Sequence, residues 1–303
     1  MLVSTTAARR RSSAGLTCLV ASGVLWGTGG LTGTLLGRVA GLPAISVAAY
    51  RLAVGGALII AFLTVSSRRW PRRRAAWTRI VAVGLLAALF QGCYFTAVSL
   101  TSVSLATLVT IGSTPVIVQV AELAARRRRL GWPAVGATCL ALAGLALLVG
   151  IPSGGLGENA VLAGSGMALL AAGGFAAITL TGSRPVPGMD DLSVTGFGFT
   201  VGGLILMALA ASLGRIVFTP SPAAIGLMAA LGIGPTAVAY TLYFRGLRAA
   251  PASTGALLSL LEPLTGTILS ALVLGDRLGG NGIAGSVMLA AAVLLTIRAN
   301  RQR

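Results

Sequence analysis

The chain contains no lysine and no histidine, and only 6 of its 303 residues are acidic. The absence of lysine excludes a Walker A phosphate loop, and with it ATP hydrolysis by that route. The absence of histidine removes the commonest general base and metal ligand. Charged residues make up 10% of the chain, whereas soluble domains carry roughly 25%. This is too little charge to cover a surface that faces water, so the sequence predicts an integral membrane protein.

The three cysteines, Cys18, Cys93 and Cys139, lie singly within apolar segments. Their spacing matches neither a zinc site nor a disulfide framework, so we interpret them as small packing residues. Because histidine is absent and the carboxylates are scattered, we expect no metal site, no cofactor and no catalytic residues. The chain is predicted not to be an enzyme.

Ten apolar stretches of about 20 residues, each long enough to cross a bilayer, divide the chain. The predicted spans are 15–37, 44–66, 76–100, 102–125, 131–150, 160–182, 192–213, 223–244, 252–274 and 282–297. The predicted fold class is therefore an all-α integral membrane protein with ten transmembrane helices, and the lipid bilayer is its first partner.

All 23 basic residues are arginine, and most of them stand in short clusters between the spans. With the amino terminus inside, nineteen arginines fall on one side of the membrane, three fall on the other and Arg51 lies within a span. Basic residues are enriched in cytoplasmic loops, so we expect the cytoplasmic membrane, with both termini in the cytoplasm. The net charge of +17 does not predict a nucleic-acid partner, because no folded polar surface surrounds it.

The two halves of the chain repeat each other at an almost constant offset. Thr114 and Pro115 match Glu262 and Pro263 at an offset of 148 residues. Each half has five spans, an odd number, so the second copy must enter the membrane inverted relative to the first. Inverted repeats let one scaffold open alternately to either side of a site near the midplane.

The repeat predicts five regions along the chain. They are a cytoplasmic amino-terminal segment at 1–14, a first five-helix repeat at 15–150, an outer linker at 151–159, a second five-helix repeat at 160–298 and a cytoplasmic tail at 299–303.

Loose motifs occur in a specific order along both halves: Gly23-Val-Leu-Trp26-Gly27, Tyr50-Arg51, Tyr243-Phe244-Arg245-Gly246-Leu247, Ala252-Ser-Thr-Gly-Ala256, Glu262-Pro263 and Leu274-Gly275-Asp276. With them the chain resembles two EamA-type domains of the drug/metabolite transporter superfamily, over nearly its whole length. The resemblance implies a permease that exports or takes up metabolites such as amino acids, sugars or drugs. The family often has Glu where Asp276 stands. It also has Pro after an acidic or small residue in both repeats, whereas Thr114 fills that place in the first copy here.

Glu262 is the sharpest candidate for a binding residue, because it lies near the centre of a predicted span. A carboxylate there costs about 2.5 to 3.5 kcal/mol even on insertion scales. Pro263 follows it and is predicted to break the helix, as Pro115 is in the first repeat. Ser259 shares a helical face with Glu262. The alternative is a neutral, hydrogen-bonded Glu262 that only fixes helix packing.

Arg51 is predicted at a depth compatible with an ion pair to Glu262, or with recognition of a zwitterion by both residues. Snorkelling of Arg51 to the outer interface is the alternative. Six more polar or aromatic residues within spans are candidates for substrate binding, although each also suits interhelical packing: Trp26, Gln91, Tyr94, Thr114, Tyr240 and Tyr243.

Gly29, Gly33 and Gly37 form one helical stripe, which predicts close packing of two helices. Glu122 has Arg126 four residues on, so a surface ion pair accounts for it.

The most direct functional prediction is a secondary transporter that moves a small polar metabolite, amino acid or drug by alternating access, with proton coupling through Glu262 as one mode. A membrane-embedded enzyme and a passive channel are the alternatives. A homodimer stays open as a further partner.

Overall fold

A computed structural model describes residues 2–66, 70–125, 131–150, 157–184, 191–216, 218–275 and 278–301. The first repeat contains five helices: α1 Leu2–Ala40, α2 Ala44–Val65, α3 Arg74–Leu100, α4 Val103–Ala124 and α5 Trp132–Val149. The second contains α6 Glu158–Gly182, α7 Asp191–Ser212, α8 Pro222–Leu231, a π-helical turn Gly232–Val238, α9 Ala239–Leu247, α10 Ala252–Leu258, α11 Leu261–Leu274 and α12 Gly280–Arg301. The arginine run at 126–129 and most of the predicted linker lie outside the described residues.

Ten helical segments of the described chain are long and apolar enough to cross a membrane. Their ends differ from the predicted spans by no more than three residues, so the predicted fold class is confirmed. The eighth span consists of α8, the π-helical turn and α9, and the ninth consists of α10 and α11. The helix α1 begins at Leu2, well before the first membrane span.

The packing of the helices repeats when the two halves are exchanged. The helix α2 packs on its counterpart α7, and α5 packs on its counterpart α12. The contact of α3 with α6 has its equivalent in the contact of α1 with the eighth span, and the contact of α4 with α6 has its equivalent in that of α1 with α11. Each repeat has five spans, so this two-fold arrangement places the copies in the bilayer in opposite directions.

Glycine allows the paired helices to approach closely. A Cβ built at Gly56 of α2 would lie 2.5 Å from the Thr200 backbone nitrogen of α7. At the other pair, a Cβ at Gly144 of α5 would lie 2.9 Å from the Gly285 carbonyl oxygen of α12. Small residues are the usual means by which membrane helices pack backbone to backbone. These two interfaces therefore hold the repeats together.

The two matched prolines behave differently from each other. The helix α4 continues through Pro115 without interruption, so the predicted break there is wrong. Thr114 Oγ1 donates to the Thr110 carbonyl at 2.8 Å, one position before the Ile111 carbonyl that Pro115 leaves without its helical donor. In the second repeat the helix does break, but at the Ser259–Leu260 turn, so that Pro263 falls in the first turn of α11, where its missing amide costs little.

Candidate functional site

A cavity of about 600 Å³ lies between the two repeats. Its mouth is formed by exposed residues at the end of α1, the start of α2 and the start of α4, among them Arg38, Ala44 and Val103. Its inner end reaches Trp26, which lies twelve residues before Arg38 on α1, about 18 Å along the helix axis. The cavity therefore runs from one membrane face to the middle of the span Ser13–Ala40.

Glu262 borders the inner end of this cavity from the first turn of α11. The Ser259–Leu260 turn places it there, and the Glu262 backbone amide donates to the Ser259 carbonyl at 2.9 Å. Ser259 also borders the cavity, with its hydroxyl donating to the Ala256 carbonyl at 2.7 Å. A carboxylate at the start of a helix is favoured by the helix dipole. The acid thus faces the chamber between the repeats rather than the acyl chains.

Arg51 of α2 borders the same cavity from the opposite repeat. Its Nε is buried and has no hydrogen-bond partner, and one of its terminal nitrogens lies close to Gly29. Within the described chain, no ion pair joins Arg51 to Glu262. The two opposite charges therefore stand separately on the wall of one chamber, each with hydrogen-bonding capacity left for a ligand.

Three aromatic rings form the inner end of the cavity, here called the aromatic floor: Trp26, Phe175 and Tyr240. The ring centroid of Trp26 lies 5.8 Å from that of Phe175 and 4.8 Å from those of Tyr240 and Tyr243. Trp26 is only 4% exposed, and its Nε1 is a second buried donor without a partner. An indole N–H in such surroundings usually has an acceptor, so this one is available to an oxygen of a bound molecule.

Tyr243 does not border the cavity, although the sequence pattern grouped it with the binding residues. It lies behind Trp26, and its hydroxyl is 2.8 Å from Thr179 Oγ1. The position supports the aromatic floor from behind. Phe175, in contrast, was missed by the sequence analysis, because a single phenylalanine in an apolar span carries no signal of its own.

The remaining predicted candidates come together on the cavity wall. Gln91, Thr114 and Tyr240 all border the cavity and are buried, and Tyr240 is part of the aromatic floor. Tyr94 borders it as well, and its hydroxyl lies 2.8 Å from Thr107 Oγ1, which joins α3 to α4. The cavity is therefore polar along α2, α3 and α4 and aromatic at its inner end.

The glycine stripe Gly29, Gly33 and Gly37 also borders the cavity. The close approach of α1 to the broken ninth span instead involves Gly23 and Gly27. A Cβ at Gly23 would lie 2.7 Å from the Leu258 carbonyl oxygen, and one at Gly27 would collide with Thr265. Because these two glycines have no side chain, α1 can pack closely against the broken segment that carries Glu262. Among the described residues, no three metal-binding side chains come together.

These features define a class of protein: a polytopic membrane protein in which two inverted five-helix repeats enclose a chamber with unpaired charges. The chain belongs to the EamA-like transporter family, whose model matches residues 13–150 and 162–298. It is 30% identical over 280 residues to the transporter YwfM of Bacillus subtilis, covering 92% of both chains. It is 24% identical to the inner membrane transporter YicL of Salmonella typhimurium, over 95% of this chain and 97% of that one.

One crystal structure of a related fold superposes with a TM-score of 0.77 over 95% of this chain and 98% of the other, at 22% identity. At that identity the match concerns the fold alone. The fold, the family and the names of the relatives agree that this is a membrane transporter.

Proposed function

We propose that the chain is a secondary transporter that moves a small polar solute by alternating access. The observation that carries this proposal is the cavity itself: it reaches from one membrane face to the middle of the bilayer and ends at Glu262, Arg51 and Trp26. A site at the interface of inverted repeats, beside a discontinuous helix, is how secondary transporters bind substrates.

The charges favour a zwitterionic solute with an apolar body, such as an amino acid or a drug. A guanidinium binds a carboxylate well because its donors match the two oxygens, and Arg51 has a donor without a partner. The Glu262 carboxylate suits a cationic group, and the aromatic floor suits an apolar or aromatic body.

Two alternatives receive less support. An enzyme would need a second acid or base beside Glu262, and the described residues of the cavity wall include no further carboxylate. A passive channel would need a continuous path across the membrane. On the face opposite the mouth, the buried residues Val118, Ala176, Ala252 and Ala256 pack together and oppose such a path.

The arginine bias supports an orientation in the cytoplasmic membrane with both termini inside, so that the cavity faces outward. With no ATP-binding lysine, transport draws on an ion gradient, on exchange or on the substrate gradient itself. If protons drive it, Glu262 alternates between its protonated and ionised forms as substrate leaves and enters.

The test begins with a thermal-shift screen of the purified protein against zwitterionic, cationic and anionic solutes, followed by uptake of the best ligand into proteoliposomes. We expect Glu262→Gln to abolish accumulation driven by a pH gradient. Glu158→Gln is the matched control, because Glu158 is an exposed carboxylate in the first turn of α6 and should leave uptake unchanged. Wild-type accumulation by Glu262→Gln would exclude proton coupling through Glu262, and a screen without any ligand would oppose the transporter proposal itself.

A further inference from the structure

Glu122 makes a contact between the repeats at the face opposite the cavity mouth. Its Oε1 accepts a hydrogen bond of 3.1 Å from the Ala252 backbone amide, the first residue of α10. The cap residue of α10 is Pro251, whose side chain makes no capping hydrogen bond. A carboxylate at this position satisfies a free amide and complements the helix dipole. Glu122 of the first repeat therefore supplies the cap of a helix in the second.

The contact between Glu122 and Ala252 lies beside the buried residues that close the membrane face opposite the cavity mouth. One turn before Glu122 on α4, Val118 is fully buried against Ala252 and Ala256 of α10 and Ala176 of α6. The helix α10 has only seven residues and ends at the Ser259–Leu260 turn, which leads to Glu262. Movement of α10 away from α4 would therefore expose Val118 and shift the segment that carries the binding-site acid.

A second charge of the first repeat acts on the second repeat in a similar way. Arg79 of α3 donates to the Thr181 carbonyl at 2.5 Å and to the Arg184 carbonyl, at the end of α6. A cation at the carboxyl end of a helix is the electrostatic counterpart of an anion at the amino end. The position in the second repeat that matches Glu122, at the offset of 148 residues, is Ser270. Ser270 lies towards the membrane face where the cavity is open, so at this position the open face lacks the carboxylate that the closed face has.

We propose that Glu122 is a latch: its cap on α10 holds α4 and α10 together, and the protein opens to this face only when the contact breaks. The inference rests on the alternating access of the proposed function. Arg79 is not part of the latch, because α3 and α6 pack along their length and the guanidinium acts at the end of that interface.

The latch is tested by the reactivity of one buried thiol. In a variant without the native cysteines, Val118→Cys is incorporated into lipid nanodiscs and its reaction rate with a water-soluble maleimide is measured. Loss of a helix cap predicts that Glu122→Ala accelerates the reaction about five-fold, and Glu122→Gln, which keeps an oxygen but not the charge, about two-fold. Glu158→Gln, which removes a carboxylate at another helix start, should leave the rate unchanged.

A general loosening of the fold is separated from opening by a second reporter. Leu145 is fully buried in α5, which packs on α12. A cysteine placed there by Leu145→Cys should react at the same rate whether or not Glu122 is substituted. An unchanged rate at position 118 in both Glu122 variants would overturn the latch, as would an equal acceleration at positions 118 and 145. Because labelling needs no substrate, a response at position 118 without any measurable uptake would retain the latch and oppose the proposed function.

Discussion

The two repeats share their topology but differ in the continuity of their helices. Each of the four helices that follow α1 in the first repeat makes one span without a break, whereas the eighth and ninth spans of the second repeat are interrupted. The eighth contains the π-helical turn Gly232–Val238, and the ninth breaks at the Ser259–Leu260 turn. Duplication alone would have made the repeats alike, so these interruptions indicate local requirements of the second repeat.

The difference coincides with a division of the site. The first repeat provides Arg51, Trp26 and Gln91 from uninterrupted helices, which hold a donor in a fixed direction. The second repeat provides Glu262 from the first turn after a break. Interrupted helices within a membrane occur where freed backbone groups are buried in protein or border a cavity. The first repeat thus supplies its site residues from continuous helices, and the second supplies Glu262 from a broken one, as the proposed alternating access would require of the moving part.

The largest effect is expected from moving the carboxylate between the repeats. Glu262→Thr should weaken binding of the screened ligand about 50-fold, because a hydrogen bond to a charged group is lost. Adding Thr114→Glu at the matched position to the Glu262→Thr variant should not restore binding. Thr114 is fully buried in a continuous helix, and its side chain is hydrogen-bonded to the Thr110 carbonyl. Titration calorimetry of the single and double variants measures both effects.

Recovery of affinity in the double variant would contradict this comparison. It would mean that a charge anywhere on the cavity wall suffices and that the break before Glu262 has no part in binding. Thr114→Val is the matched control for the disturbance at that site, since it keeps the shape of the side chain and removes only its hydroxyl.

The second effect concerns the contact of α1 with the broken ninth span. Gly27→Ala should lower the free energy of unfolding by about 2 kcal/mol, because the added methyl group collides with Thr265 and lies 2.9 Å from the Glu262 carbonyl oxygen. Gly30→Ala is the control on the same helix, since a Cβ there meets nothing within 4 Å. Equal unfolding temperatures of the two variants would show that α1 does not press on the break.

The spans could be predicted from the sequence because length and apolarity determine them almost alone, and the inverted repeat could be predicted from the repeat offset and the odd number of spans. Glu262 and Arg51 stand out in the sequence because each is rare for its surroundings, and both border the cavity, while their role in binding stays a prediction. The candidate site was predicted poorly where the role depends on direction: Phe175 was missed, and Tyr243 turned out to lie behind the wall. The cap by Glu122 was also missed, since Ala252 is 130 residues away and no local pattern joins the two.

The smallest expected effect comes from replacing a proline within a span of each repeat, Pro235 in the second and Pro115 in the first. Pro235 lies in the π-helical turn where the first repeat has Ala87, and Thr236 Oγ1 donates at 2.8 Å to the Leu231 carbonyl, the acceptor that an amide at 235 would use in an α-helix. Pro235→Ala supplies that amide and favours an ordinary α-helix. Loss of the extra residue would rotate Tyr240 by about 100° away from the cavity, and we expect uptake to fall about three-fold.

Pro115→Ala is the comparison in the first repeat, although Pro115 corresponds by repeat position to Pro263. It adds an amide to a helix that is already continuous, so it should raise the free energy of unfolding by about 1 kcal/mol without a comparable loss of uptake. Uptake rates and unfolding temperatures of the two variants, measured side by side, decide the comparison. If Pro115→Ala slowed uptake as much as Pro235→Ala does, the two repeats would contribute alike to movement, because an interruption in the second would then confer nothing that a continuous helix in the first lacks.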